Sequence, residues 1–237
     1  MQRRFPRPIK RIVIKVGSSV IATYKMKPRL ARLRSLVEQI AKAQRNNVEV
    51  VLVSSGAIVL GMGELKMEKR PKDLASLQAL AGVGQIVLMQ KYDALFKKFQ
   101  SKCSQVLLTW DDFNDRKRFV NAKDTFKVML DWKIVPVINE NDTISTEEIR
   151  FGDNDKLSAL VACLVNADLL LILSDVEGLY DLREDGKKVL FEEVNEINDH
   201  IEKVATGHLE NKDVSLDKDK KKQMSKGGKT ARRNRQN

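Results

Sequence analysis

The sequence is short of the residues that staple or metallate small proteins. Its 237 residues include two cysteines, Cys103 and Cys163, with no CxxC spacing and no histidine beside either. That excludes a disulfide framework and fits a reducing compartment. The two histidines, His200 and His208, fall in a polar, helix-like stretch with no second ligand nearby, and both are expected at the surface. Long apolar runs are also missing. The longest, Ser158–Leu173, is interrupted by Asn166 and Asp168 and falls short of a membrane span. The first eleven residues hold five Lys/Arg and no acid, but lack the apolar stretch of a secretory signal. A soluble cytoplasmic protein is expected.

Hydrophobic residues make up 42% and charged residues 32%, which leaves enough apolar material for a core and excludes wholesale disorder. The length suits one α/β domain or two small ones. The net charge of +11 is unevenly spread. Residues 211–237 carry ten Lys/Arg against three Asp, and together with the basic start they leave a body of 28 basic and 29 acidic side chains. Basic ends can bind nucleic acid, but solvated tails account for the same charges, and no nucleic-acid partner is expected.

Hydrophobic periods of two kinds alternate along the chain, with no internal repeat. Arg11–Val16 (RIVIKV), Val48–Ser54, Gln105–Thr109, Ile134–Ile138 and Leu169–Ser174 read as strands. Leu30–Asn46, about 72–100, Ala122–Leu130 opened by Asn121, and Lys156–Asn166 read as helices. In the long helix Leu74, Leu77, Leu80 and Ala81 share a face, and Ile86, Met89 and Leu95 continue it. Pro136 favours an edge strand or a bulge. Trp110 and Trp132 are expected to pack. Strands separated by helices imply βαβ units, a mostly parallel sheet and helices on both faces. Ligands in such folds bind at the carboxyl ends of the strands.

The strand ends are rich in small and polar residues. Lys15-Val16-Gly17-Ser18-Ser19 closes the first strand and Ser54-Ser55-Gly56-Ala57 the second. Asn139-Glu140-Asn141-Asp142 follows the fourth, Phe151-Gly152-Asp153-Asn154-Asp155 opens a helix, and Ser174-Asp175 ends the fifth. Any one of these could be turn chemistry. Their coincidence at one sheet edge suits phosphate and carboxylate ligands, because small residues let backbone N–H groups approach anionic oxygens. Lys15 stands in an otherwise apolar strand, where a lysine is costly unless its charge is paired or its tip reaches solvent.

Ile12–Val20, the SSGA at 54–57, LQALAGVGQ at 77–85, LLTW at 107–110, NA at 121–122, VPVINENDT at 135–143, FGDND at 151–155 and SDVEGLYD at 174–181 together resemble the glutamate 5-kinase family. That family lies within the amino acid kinase superfamily. The resemblance spans roughly residues 10–200, and NEND with GDND at this spacing argues against acetylglutamate kinase and aspartokinase. It implies a three-layer αβα sandwich with a mainly parallel sheet, Mg-ATP as phosphoryl donor (the Mg²⁺ held by the nucleotide phosphates, with no protein metal site) and L-glutamate as acceptor. It assigns Lys15 to the transferring phosphoryl group, with N–H groups around Gly17 and Ser18 helping. It gives Asp155 the orienting of catalytic lysines, a role compatible with capping the helix before Lys156. Ser55, Asp142 and Asn154 are assigned to glutamate. Ser174 and Asp175 go to the nucleotide, with Ser where Thr is more usual, and Trp110 stands where the family often has Arg. A homo-oligomer, dimer or tetramer, is also implied.

After about residue 210 the resemblance degrades. The family's GTGGM-(x)-TK segment has its nearest counterpart in Ser225–Arg232, where Gly227 and Gly228 match and Arg232 or Lys229 stands in place of a second catalytic lysine. The GKT here is no P-loop, because position 223 is Gln. Residues 1–210 are thus expected to form the kinase domain, incomplete on its nucleotide side. The basic segment 211–237 is expected to be a disordered remnant, without a C-terminal PUA domain. The expected activity is ATP-dependent phosphorylation of the glutamate γ-carboxylate. The alternatives are an impaired homologue that binds glutamate or proline without efficient ATP use, and a nucleic-acid binder using the basic tail, whose affinity would fall steeply with salt.

Overall fold

Five apolar strands, each followed by helix or loop, order into one sheet in the computed structural model, which describes residue 5 and residues 7–145, 154–182 and 187–205. The elements are β1 (Arg11–Val16), α1 (Ser18–Ile21), α2 (Leu30–Arg45), β2 (Glu49–Val53), α3 (Ala57–Glu64), α4 (Leu74–Lys98), β3 (Lys102–Leu108), α5 (Asp111–Asn114), α6 (Arg116–Asp131), β4 (Ile134–Glu140), α7 (Asp155–Leu164) and β5 (Leu169–Leu173). The strand order is β3-β4-β2-β1-β5 and every pairing is parallel. These elements form the first of two compact units, residues 1–175. In the second, residues 176–237, β6 (Tyr180–Leu182) pairs antiparallel with β7 (Lys188–Leu190), and α8 (Asp199–Ala205) follows. His200 is exposed there, 3.2 Å from Asp181 Oδ2; His208 lies outside the described residues.

Alternation along the strands sorts side chains to two faces. Ile14, Val16, Val50, Leu52, Val135 and Val137 pack with Ile21, Leu33, Val37, Ile40, Leu60, Leu88, Tyr92 and Phe96 on one side. Val13, Val51, Val53 and Ile138 pack with Phe126, Leu130, Leu157, Val161 and Leu164 on the other. Helices α1 to α4 therefore cover one face and α6 and α7 the other, giving the expected three layers. Each large side chain so buried contributes roughly 1.5–3 kcal/mol.

Several local expectations change. Helix α6 begins five residues before Asn121, capped by Asp115, whose carboxylate accepts the Arg118 N–H at 2.8 Å. Pro136 lies in an interior strand; it stands opposite Ser104 of β3, and pairing with β2 starts at Val137, one residue past the missing N–H. In α4 the core stripe runs through Leu88, Tyr92 and Phe96, while Ile86 is 62% exposed. Trp132, expected to pack, is 71% exposed. Asn166 and Asp168, which interrupt the apolar run, have structural work: Asn166 adopts φ +50° after α7, and Asp168 Oδ2 accepts the Lys10 and Arg11 N–H groups, tying the start of β1 to that of β5.

Helices α3 and α4 touch backbone to backbone. A Cβ on Gly84 would lie 1.7 Å from the Ala57 carbonyl oxygen, and one on Gly61 2.0 Å from that of Leu80. This contact fixes the start of α3, and with it the turn that carries Ser55. Gly84→Ala should therefore cost about 3 kcal/mol or more in urea unfolding, since backbone must move. Gly82→Ala, whose Cβ would meet only Thr143 Cγ2 at 3.4 Å, should be neutral or stabilising by up to about 1 kcal/mol.

Candidate functional site

The period of two in β1 sends Lys15 to the face that α7 covers. Its side chain is only 7% exposed, and its ammonium lies 2.6 Å from Oδ1 of Asp155, the first residue of α7. The pairing offsets the desolvation of a buried charge. Asp155 remains 44% exposed, so the pair opens to solvent on the carboxylate side. The cap position of α7 belongs to Asn154 rather than Asp155, and the Asn154 side chain makes no capping hydrogen bond.

Asn154 is buried, and its side-chain nitrogen donates to the Ser54 carbonyl at 2.6 Å, to Asn139 Oδ1 at 2.8 Å and to Ser55 Oγ at 3.3 Å. A backbone carbonyl can only accept, so the Asn154 amide has one orientation, with its nitrogen on these three acceptors and Oδ1 turned away from them. Asn139, the sixth residue of β4, lies on the α4 face. Its Oδ1 also accepts the Glu140 N–H at 3.0 Å, and its nitrogen donates to Gln85 Oε1 of α4 at 2.9 Å. Ser54 Oγ lies 3.1 Å from the hydroxyl of the fully buried Tyr92, whose pKa burial pushes up. Gly56, at φ +91°, turns the chain from β2 into α3 in a conformation that favours glycine.

These residues enclose a recess lined by Ser18, Ser55, Gly56, Asn139, Glu140, Asp142, Asn154 and Arg70. Burial raises the Asp142 carboxyl to about 7, and the neighbouring Glu140 charge adds to this while Arg70 opposes it. Glu140 accepts the Ser145 hydroxyl at 2.5 Å, and the Ser145 carbonyl accepts Gln78 at 3.0 Å, which ties the segment after β4 back to α4.

Lys15, Asp155, Ser55, Asp142 and Asn154 thus all lie at the carboxyl ends of β1, β2 and β4, and the last three share the recess with Ser18. Gly17 and Ser174 come together at the next position along, because β1 and β5 run in register from Ile12–Leu169 to Val16–Leu173. The Gly17 N–H donates to the Leu173 carbonyl at 3.1 Å and so extends the β1–β5 ladder by one residue. Ser174 and Asp175 are exposed, with Ser174 Oγ 3.5 Å from Asp175 Oδ1. Gly227, Gly228, Lys229 and Arg232 lie outside the described residues, as do Phe151, Gly152 and Asp153.

Sequence reasoning overlooked Gln85, Asn139 and Arg70 as site residues. Gln85 had a readable signal, since it sits four residues after Ala81 and three before Leu88 on the apolar stripe of α4. Arg70, in the polar connection between α3 and α4, had none.

Residues 10–221 match the model of the amino acid kinase family. The chain is 50% identical over 198 residues to a glutamate 5-kinase of Dictyoglomus thermophilum, covering 83% of this chain and 53% of that one. It is 48% identical over 208 residues to a glutamate 5-kinase of Carboxydothermus hydrogenoformans (86% and 56%) and 45% identical over 201 residues to one of Clostridium acetobutylicum (84% and 75%). The chain spans about half the length of the first two of these relatives.

The folded state holds the Asp142 proton more tightly than the unfolded chain, whose aspartates titrate at about 3.9. Between about pH 4 and pH 7 the native state therefore binds more protons, and this group's contribution to stability falls as pH rises through that window and levels off above it. Urea unfolding at about pH 5 and pH 8 checks this. Asp142→Asn should remove part of the fall; a variant with the wild-type pH slope would contradict it.

Proposed function

The chain belongs to the amino acid kinase family, and from that premise we propose that it phosphorylates the side-chain carboxylate of L-glutamate with Mg-ATP, yielding L-glutamyl 5-phosphate for proline biosynthesis. The observation that carries this reading is the convergence of Ser55, Asp142 and Asn154 on one recess at the sheet edge where the buried Lys15 stands one residue before the end of β1.

The glutamate side chain is ionised at neutral pH, with a reference pKa of about 4.3, so the site needs no general base. One carboxylate oxygen forms a bond to the γ-phosphorus as the bond to the ADP oxygen breaks. The obstacle is the approach of one anion to another, which positioning and nearby positive charge overcome. Lys15 supplies that charge, and Asp155 holds its ammonium in place. The fit of a phosphoryl group beside Lys15 is supported by Gly17: a Cβ there would lie 3.9 Å from both Lys15 Nζ and Ser19 Oγ, occupying space beside the ammonium. Bound Mg²⁺ neutralises phosphate charge, held by the nucleotide rather than by a protein cage. Asn154 Oδ1 and the Asp142 carboxylate accept from the substrate ammonium, and the Ser55 hydroxyl donates to a carboxylate. Ser18, Ser174 and Asp175 serve the nucleotide, and the motif match at 225–232 assigns Gly227, Gly228 and Arg232 to it as well. In this reading residues 1–210 act as the kinase domain, in the cytoplasm and as a homo-oligomer.

Trapping γ-glutamyl phosphate as its hydroxamate, from purified chain with L-glutamate and Mg-ATP, tests the reading. Lys15→Met should lower the signal by about a hundredfold or more, with an unfolding midpoint within about 5 °C of wild type, because methionine fills the same volume without a charge to bury. Folded wild-type chain that binds glutamate yet forms no hydroxamate would instead support a glutamate-binding homologue without ATP use.

A further inference from the structure

The recess assigned above to the acceptor has a charge problem that one residue resolves. Among its described lining residues Glu140 and Asp142 are acids, and Arg70 is the one cation. An α-amino acid with a second carboxylate brings two negative charges and one positive. Its reacting carboxylate has Lys15 nearby. Its α-carboxylate would otherwise enter beside two acids, where like charges repel.

Asp142 and Arg70 line the same recess and attract one another. The head of an α-amino acid carries the complementary pair on a single carbon. Arg70 is exposed, so its guanidinium can turn onto a ligand, while the backbone that carries it is confined: Pro71 restricts the residue before it to extended conformations. Three residues on, Asp73 anchors the segment to α4 by accepting the Ser76 N–H at 2.9 Å. We propose that Arg70 is a specificity-determining residue that receives the α-carboxylate of the acceptor, while Asp142 and Asn154 Oδ1 receive its α-ammonium. This rests on the kinase reading above and defines the acceptor by its zwitterionic head.

Calorimetric titration of the full chain with L-glutamate and with L-isoglutamine, its α-amide, tests the assignment. Wild type should bind isoglutamine about tenfold or more weakly than glutamate, because the amide forfeits the charge-assisted fork. Arg70→Gln should weaken glutamate by a similar factor and leave isoglutamine within about twofold. Arg70→Lys should fall between, since lysine keeps the charge without the fork geometry. Arg70→Gln binding glutamate as wild type does, or weakening both ligands equally, overturns the proposal. Wild-type chain that binds neither ligand overturns the acceptor reading itself, and this assignment with it.

Discussion

An ammonium group inside a parallel sheet is tolerated only when a counter-charge is delivered to it, and much of this architecture serves that delivery. Lys15 sits in β1, which has neighbours on both sides, and its side chain is almost wholly removed from solvent. Its partner Asp155 is the first residue of α7, so the pair forms only if α7 lies across the sheet face to which Lys15 points. The Leu157, Val161 and Leu164 contacts with Val13, Val51 and Val53 secure that placement. Core packing on one face and charge placement at the strand end are therefore one constraint.

A second layer of order comes from amides. Gln85, Asn139 and Asn154 form a chain whose direction is set by backbone groups at its middle and at one end: the Glu140 N–H fixes Asn139 Oδ1, and the Ser54 carbonyl fixes the Asn154 nitrogen. Nothing in the chain can be reversed without setting donor against donor. The arrangement links α4, the end of β2, β4 and α7 through one buried polar thread, and it leaves Asn154 Oδ1, an acceptor, as the side-chain atom not engaged in that thread.

The five strands, four of the helices and the parallel order were legible because the apolar runs are β-branched, bounded by polar turns, and separated by stretches long enough for a crossover helix. Helix ends were less legible. Five helices are followed by a left-handed residue that is not glycine: Asn47, Lys66, Gln100, Lys133 and Asn166. Only the asparagines carry a signal for that conformation. The short α1, α3 and α5 have too few residues for a period to emerge, and α3 is apolar nearly all round. At the site, the residues at strand ends were found because their position follows from topology. Arg70 was not, since a loop cation is placed by tertiary contacts alone. Pro136 misled because a parallel ladder leaves room for a missing N–H where one neighbour joins late.

The position of Lys15 also bears on how the chain is made. β1 leaves the ribosome well before one of its two neighbours, β5, and Asp155 follows Lys15 by 140 residues. At ordinary synthesis rates that interval lasts roughly 7–28 s. Throughout it a β-branched strand has no completed sheet to enter and is free to pair wrongly. A charge within RIVIKV breaks the run that would otherwise drive such association. The charge that α7 pairs in the folded protein is thus the same charge that interrupts the strand while α7 is still being made.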